Sequence, residues 1–195
     1  MINQVSRNDW QYLIPFLIIL VIFFATDILE VLNKLDFAYN SVLINVEKYR
    51  AITAHFLHAD FSHLLANTFG IVMARYFFKE LKLKSDSFFL LLIICLLPLQ
   101  TFLLWYTETY FFSSAHHFSI GFSGILYGAN AFILVSSIFG KNKFLTREIC
   151  LVRNTKTRNG IFALTSLGLV WSFLPGINML AHVTGFIAGL VLFLF

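Results

Sequence analysis

Charged side chains are scarce in this sequence. Asp, Glu, Lys and Arg make up 12% of its 195 residues, whereas a typical soluble domain has about 25%. Hydrophobic residues make up 58%, and the mean hydropathy is +0.79. This composition excludes an ordinary soluble domain and indicates an integral membrane protein. The formal net charge of +4 is modest and no basic stretch alternates with aromatic residues, so no nucleic-acid partner is expected.

Cysteine is rare as well, and metal-binding motifs are missing. The two cysteines, Cys95 and Cys150, match no metal or redox spacing, and their different surroundings argue against a disulfide. None of the six histidines belongs to a His-Glu-x-x-His motif, and no carboxylate completes a ligand set at helical spacing. We therefore predict no metal and no cofactor, and we interpret four histidines as loop or interfacial residues: His55, His58, His116 and His117.

Long apolar runs account for most of the chain. A bilayer core about 30 Å thick requires about 20 apolar residues per helix. We predict an all-α bundle of six transmembrane helices that forms a single domain over residues 1–195. Between the first two spans, residues about 33–62 hold apolar pieces too short to cross, so this loop is expected to lie partly in the interface. The predicted spans are 12–29, 62–78, 88–106, 120–139, 160–175 and 177–195.

Lysine and arginine are distributed unequally between the two predicted sides of the membrane. Ten lie in the N-terminal segment and in the second and fourth loops, and three lie in the first loop. Because positive charge is retained on the cytoplasmic side, both termini are predicted to be cytoplasmic. The second, fourth and sixth spans then enter the membrane from the outer face. Their first turns lie within roughly 10 Å of that face, and they carry His63, Asn67, Ser123 and His182.

Ser123 and His182 are a candidate nucleophile and base. A serine becomes nucleophilic when a neighbouring histidine takes its proton. A lone serine among glycines more often serves helix packing, but small residues recur in both spans and would let the two helices approach closely. They are Gly121, Gly124 and Gly128 in the fourth span, and Ala181, Gly185 and Gly189 in the sixth.

Other polar groups at the same depth could complete such a site. His63 and Asn67 are spaced i, i+4 on one helix face and could donate hydrogen bonds to an oxyanion. The backbone N–H of Ser123 is a third candidate donor. Tyr127, one turn after Ser123, could pack against the imidazole of His182. The fourth and sixth spans contain no Asp or Glu, so we predict a Ser-His dyad without a carboxylate.

Taken together, these motifs resemble the rhomboid family of intramembrane serine proteases. The resemblance covers about residues 49–189 and rests on His63-x-x-x-Asn67, Gly121-x-Ser123-Gly124 with Tyr127, and Ala181-His182-x-x-Gly185-x-x-x-Gly189. Upstream, Tyr49-Arg50 resembles the Trp-Arg motif of the family's first loop, with tyrosine replacing tryptophan. A further departure is Lys79, followed by Glu80, near a position where a carboxylate is common.

The resemblance implies Ser123 as nucleophile, His182 as general base, and His63 with Asn67 as the oxyanion site. It further implies transmembrane protein substrates, a lipid bilayer as environment, and a bacterial inner membrane with the active site open to the periplasmic side. The short architecture also resembles the rhombosortase branch, which processes C-terminal anchor segments of exported proteins. The sequence does not specify an oligomeric state. Two alternatives stay open: a catalytically inactive rhomboid-like membrane chaperone or binding protein, and a small membrane transporter.

Overall fold

The protein is mostly helical in the computed structural model, which describes residues 9–83, 87–112, 118–149, 151–174 and 176–195. Arg7, Lys84, His116, His117 and Cys150, which entered the sequence predictions, lie outside the described residues. Within the described ranges there are seven α-helices: α1 (Trp10–Phe23), α2 (Arg50–Thr53), α3 (Phe61–Glu80), α4 (Phe88–Phe111), α5 (Ser123–Phe139), α6 (Thr155–Trp171) and α7 (Met179–Phe193). Two antiparallel pairs of two-residue strands join loops: β1 (Tyr39–Asn40) with β2 (Phe118–Ser119), and β3 (Lys143–Phe144) with β4 (Arg147–Glu148).

Each predicted span overlaps one long helix, although the helix ends differ from the predictions. After α1 the chain continues as a π-helical turn, Phe24–Ile28. Among the described residues, Trp10–Ile28 and Phe88–Phe111 are long and apolar enough to cross a membrane on those criteria alone, while α5 and α7 are apolar but shorter. The all-α class therefore agrees with the sequence, and the number of six membrane crossings stays a prediction.

Polar capping residues fix where three of the helices begin. The Asp60 side chain accepts a hydrogen bond from the His63 backbone N–H at the start of α3, at 2.8 Å. Asn178 does the same for Ala181 at the start of α7, at 3.0 Å. Asn154 caps α6, so that helix begins at Thr155 rather than at the apolar residues near 160. Because such caps satisfy the free N–H groups of the first turn, they stabilise the helix ends that carry His63 and His182.

Helices α5 and α7 form the closest helix pair, and glycine allows their backbones to touch. A Cβ built on Gly185 would collide with the carbonyl oxygen of Gly124, and one built on Gly189 would collide with that of Gly128. In the opposite direction, a Cβ on Gly128 would lie 2.8 Å from the Gly185 carbonyl oxygen. The small-residue spacing of the sequence therefore corresponds to a real backbone contact.

The first loop is folded onto one end of the helix bundle rather than extended. Arg50 is 4% exposed, and one of its guanidinium nitrogens donates to the backbone carbonyls of Leu35 and Ala38, both at 2.7 Å. Tyr39 donates to the carboxylate of Glu108 in α4, at 2.8 Å in a buried setting. Burial and this neighbouring carboxylate raise the pKa of the Tyr39 hydroxyl well above its ordinary value. These bonds tie the loop to the bundle.

The α5–α7 contact leads to a stability prediction. The Gly185→Ala substitution should destabilise the protein by about 2 kcal/mol or more, because the added methyl group meets a backbone carbonyl that cannot rotate away. The measurement is thermal unfolding of the purified protein in detergent.

The matched control is Gly160→Ala in α6, where the added Cβ would make an ordinary contact of 3.4 Å with the Phe77 ring. That variant should unfold at or slightly above the wild-type temperature, because alanine favours helix more than glycine does. Equal melting temperatures for the two variants would contradict the close α5–α7 approach.

Candidate active site

The N-terminal ends of α5 and α7 bring a serine and a histidine into hydrogen-bonding distance. Ser123 is the first residue of α5, and His182 lies in the first turn of α7. The Ser123 Oγ and His182 Nε2 atoms are 2.7 Å apart, although the two residues are 59 positions apart in the chain. The distance is that of a direct hydrogen bond, so the imidazole is placed to take the serine proton.

The Tyr127 ring packs on the imidazole of His182. The ring centroids are 4.6 Å apart and the planes are inclined by 29°, a stacked arrangement. Tyr127 follows Ser123 by one helical turn, and its hydroxyl reaches Gly168 of α6, where a Cβ would collide with it. The stack leaves the imidazole little freedom to rotate away from Ser123.

The second imidazole nitrogen of His182 also has a partner, which the sequence reasoning missed. The Nδ1 atom lies 2.5 Å from the Oγ of Ser172, and that hydroxyl donates to the carbonyl of Gly168 at 2.8 Å. Ser172 directly follows α6 and is 1% exposed. A signal was available, because Ser172 falls near the outer end of the fifth predicted span, at the depth expected for His182.

His63 and Asn67 on α3 converge beside the residues that precede Ser123. The Nδ1 atom of His63 accepts a hydrogen bond from the Ala59 backbone N–H at 3.4 Å, which assigns the ring proton to Nε2. A Cβ on Gly121 would lie 2.6 Å from that Nε2 atom and 3.6 Å from the Asn67 Nδ2. Asn67 is 3% exposed, and its Nδ2 has no hydrogen-bond partner among the described residues. Two N–H donors therefore point to one place.

Gly121 makes room for these donors. Its φ of +119° is a conformation that side-chain-bearing residues rarely adopt, and its N–H donates to the Ala54 carbonyl at 3.0 Å. The bend places the chain against the His63 imidazole without a side chain between them. Gly121 therefore serves the turn before α5, whereas Gly124 and Gly185 serve the contact between α5 and α7.

The polar groups surround one cavity of about 730 Å³. Its size is sufficient for several amino-acid side chains. Within the part of the chain that the structure describes, no group of three or more His, Cys, Asp or Glu residues could hold a metal ion. The groups that the cavity offers are the Ser123 hydroxyl, the His182 imidazole and the hydrogen-bond donors of His63 and Asn67. The residues that line it include His63, Asn67, Ser123, Tyr127, Trp171 and His182.

Comparison with known proteins gives one family model and one similar protein, and the family model covers the site residues. A family model described as "Rhomboid domain" matches residues 45–195. A protein of Acanthamoeba polyphaga mimivirus described as a rhomboid protein is 31% identical over 183 residues, which cover 91% of this chain and 85% of that protein. The range matched by the family model includes the four predicted site residues His63, Asn67, Ser123 and His182.

Two of the histidines that were predicted to be loop or interfacial residues lie in the first loop, and both are buried there. His55 is 6% exposed and its Nε2 lies 2.8 Å from the Thr101 hydroxyl of α4. His58 is fully buried, and its ring meets that of His63 edge to face at a centroid distance of 5.1 Å. Burial lowers the pKa of each to about 4, and for His58 the neighbouring His63 contributes in the same direction. His55 therefore joins the first loop to α4, and His58 joins it to α3.

The burial of His55 predicts a dependence of stability on pH. Because its pKa falls from 6.5 to about 4 on folding, the unfolded chain binds the extra proton as the pH falls through this window. Wild-type protein should therefore lose stability between pH about 7 and pH about 5, with His55 contributing about 2 kcal/mol.

The test compares thermal unfolding of the wild type and His55→Gln in detergent at the two pH values. Glutamine can still donate to Thr101 but does not titrate, so the variant should show a shallower loss on acidification. The remaining slope is expected from His58. An identical slope in both proteins would contradict the burial of a neutral His55.

Proposed function

This chain belongs to the rhomboid family, and from that premise we propose that it is an intramembrane serine endopeptidase. Its substrates would be membrane-anchored proteins, cleaved in or next to their transmembrane segments. The observation that carries the proposal is the 2.7 Å contact between Ser123 Oγ and His182 Nε2 at the wall of a cavity. Family membership supports descent from proteases. The contact between Ser123 and His182 supports the proposal that this chain still catalyses peptide hydrolysis.

Ser123 and His182 act as nucleophile and general base in this proposal. The Ser123 oxygen attacks the carbonyl carbon of the scissile peptide bond while its proton passes to His182 Nε2. The tetrahedral intermediate then expels the amine, which takes that proton from the imidazolium. The resulting acyl-serine is hydrolysed by water, whose proton again passes to His182. Each proton given up by an attacking group is returned to a leaving group, so the enzyme is regenerated.

His63 and Asn67 are proposed to stabilise the oxyanion. Negative charge develops on the former carbonyl oxygen, and hydrogen-bond donors that are fixed in advance lower the energy of that state. The Nε2–H of His63 and the Nδ2 of Asn67 both face the Gly121 bend next to Ser123, and that Nδ2 has no hydrogen-bond partner in the described part of the chain. The backbone N–H of Ser123, at the start of α5, is the third proposed donor.

The proposed setting is an integral membrane protein that crosses the bilayer several times, with a cavity open to the outer side. Lipid contact is supported by large apolar side chains exposed on the helices, among them Leu17, Val21, Phe69, Val72, Ile94 and Phe102. The excess of ten basic residues over three supports cytoplasmic termini, which would place the cavity on the periplasmic side of a bacterial inner membrane. The partners would be the bilayer and transmembrane substrates.

The direct test is cleavage of a model transmembrane substrate by purified protein reconstituted in lipid vesicles. Ser123→Ala and His182→Ala should each lower the rate at least about a thousandfold, because either change removes the covalent route. Asn67→Ala should lower the rate by about 10²-fold to 10³-fold, since one oxyanion donor is lost. Product formation is followed on gels, and the cleaved bond is located by mass spectrometry.

The matched control is Ser137→Ala. Ser137 is 1% exposed in the same helix and donates only to the Leu134 carbonyl, at 2.7 Å. This variant should cleave at the wild-type rate. Cleavage by Ser123→Ala at the wild-type rate would contradict the proposed nucleophile. Substrate binding without cleavage by the wild type would favour an inactive binding protein instead.

A further inference from the structure

The contact between His182 Nδ1 and Ser172 raises the question of which atom carries the proton. A neutral imidazole has one N–H and one lone pair, and only the nitrogen with the lone pair can act as a base. The two nitrogens of His182 face two serine hydroxyls, at 2.7 Å for Ser123 and 2.5 Å for Ser172. The proton positions of these hydroxyls therefore decide whether His182 can serve as the base.

The surroundings of Ser172 determine the direction of its bond to His182. A serine hydroxyl has a single hydrogen, and that of Ser172 is directed to the Gly168 carbonyl, at 2.8 Å. A carbonyl oxygen can only accept, so this hydrogen is not available to His182. In that arrangement the Ser172 oxygen has lone pairs left for the imidazole, and Nδ1 is the donor in the short contact.

We propose that Ser172 is a positioning residue that holds neutral His182 with its proton on Nδ1 and its lone pair on Nε2, facing Ser123. The tautomer follows from the hydrogen-bond geometry of Ser172, Gly168 and His182. Its catalytic consequence rests on the proposed protease function. In serine proteases with a triad, a buried carboxylate orients the histidine in this way. Here a neutral serine at the end of α6 takes the orienting place, and α5, α6 and α7 contain no Asp or Glu.

The site fits a neutral partner better than a charged one. Ser172 is 1% exposed and follows an apolar helix. A carboxylate there would have to be desolvated, which costs several kcal/mol unless it is fully compensated. The hydroxyl avoids that cost, although it stabilises the imidazolium less than a carboxylate would. The Tyr127 stack on the opposite side restrains the ring plane, so Ser172 needs only to fix rotation and proton position.

The tautomer can be measured without any substrate. Protein labelled with ¹⁵N-histidine is examined by NMR in detergent at about pH 8, where an imidazole with an ordinary pKa is neutral. His182→Ala identifies the His182 signals by their loss. The wild type should carry the proton on Nδ1. Ser172→Ala should shift the population toward Nε2–H, while Ser172→Thr, which keeps a hydroxyl, should retain the wild-type tautomer.

Ser137→Ala is the matched control, because it removes another buried serine hydroxyl that donates to a backbone carbonyl of its own helix. It should leave the His182 signals unchanged. A wild-type His182 protonated on Nε2 would overturn the proposal. So would a Ser172→Ala spectrum identical to the wild type in a protein with the wild-type melting temperature.

Steady-state kinetics with the model substrate provide the second readout. Ser172→Ala should lower kcat by about tenfold to a hundredfold and leave KM within about twofold, because orientation of the base affects the chemical step more than binding. Ser172→Thr should restore most of kcat. An unchanged kcat in Ser172→Ala would overturn the positioning role. A changed tautomer in a protein that cleaves nothing would support the Ser172 assignment and contradict the protease assignment, so the two failures can be distinguished.

Discussion

Backbone contact between α5 and α7 is the constraint on which the site depends. The carbonyl of Gly124 occupies the space where a side chain at position 185 would lie, and the carbonyl of Gly128 does the same at position 189. Two helices in contact at this distance bring residues at their N-terminal ends within a few ångströms. Ser123 precedes Gly124 by one residue, and His182 precedes Gly185 by three. The 2.7 Å contact between them follows from the glycine spacing and from the Asn178 cap that starts α7.

The remaining elements hold this pair in place from two sides. The first loop is fixed by the buried Arg50 and by the bond between Tyr39 and Glu108, and its end at Ala54 binds the Gly121 bend. On the other side, the end of α6 supplies Ser172 to His182. Ser123, His182, His63 and Asn67 thus lie in the first two turns of α5, α7 and α3, at the end of the bundle onto which the first loop folds.

Much of the fold could be predicted from the sequence, because apolar run length specifies helices and the glycine spacing specifies which two touch. The distribution of lysine and arginine indicated that His63, Asn67, Ser123 and His182 share one depth, and the structure places them around one cavity. The contact between Ser172 and His182 could not be predicted in this way. It depends on the turn between α6 and α7, and periodicity carries no information about that turn. The burial of His55 likewise depends on how the first loop folds onto α4.

The central claim is that Ser123 is activated by His182, and covalent labelling tests it most directly. The purified protein is treated with a fluorophosphonate, which reacts with activated serine hydroxyls, and the adduct is located by peptide mass spectrometry. A single adduct on Ser123, absent in His182→Ala and retained in Ser137→Ala, is the result that this account predicts. An unmodified Ser123 in folded wild-type protein, or equal modification in His182→Ala, would contradict it.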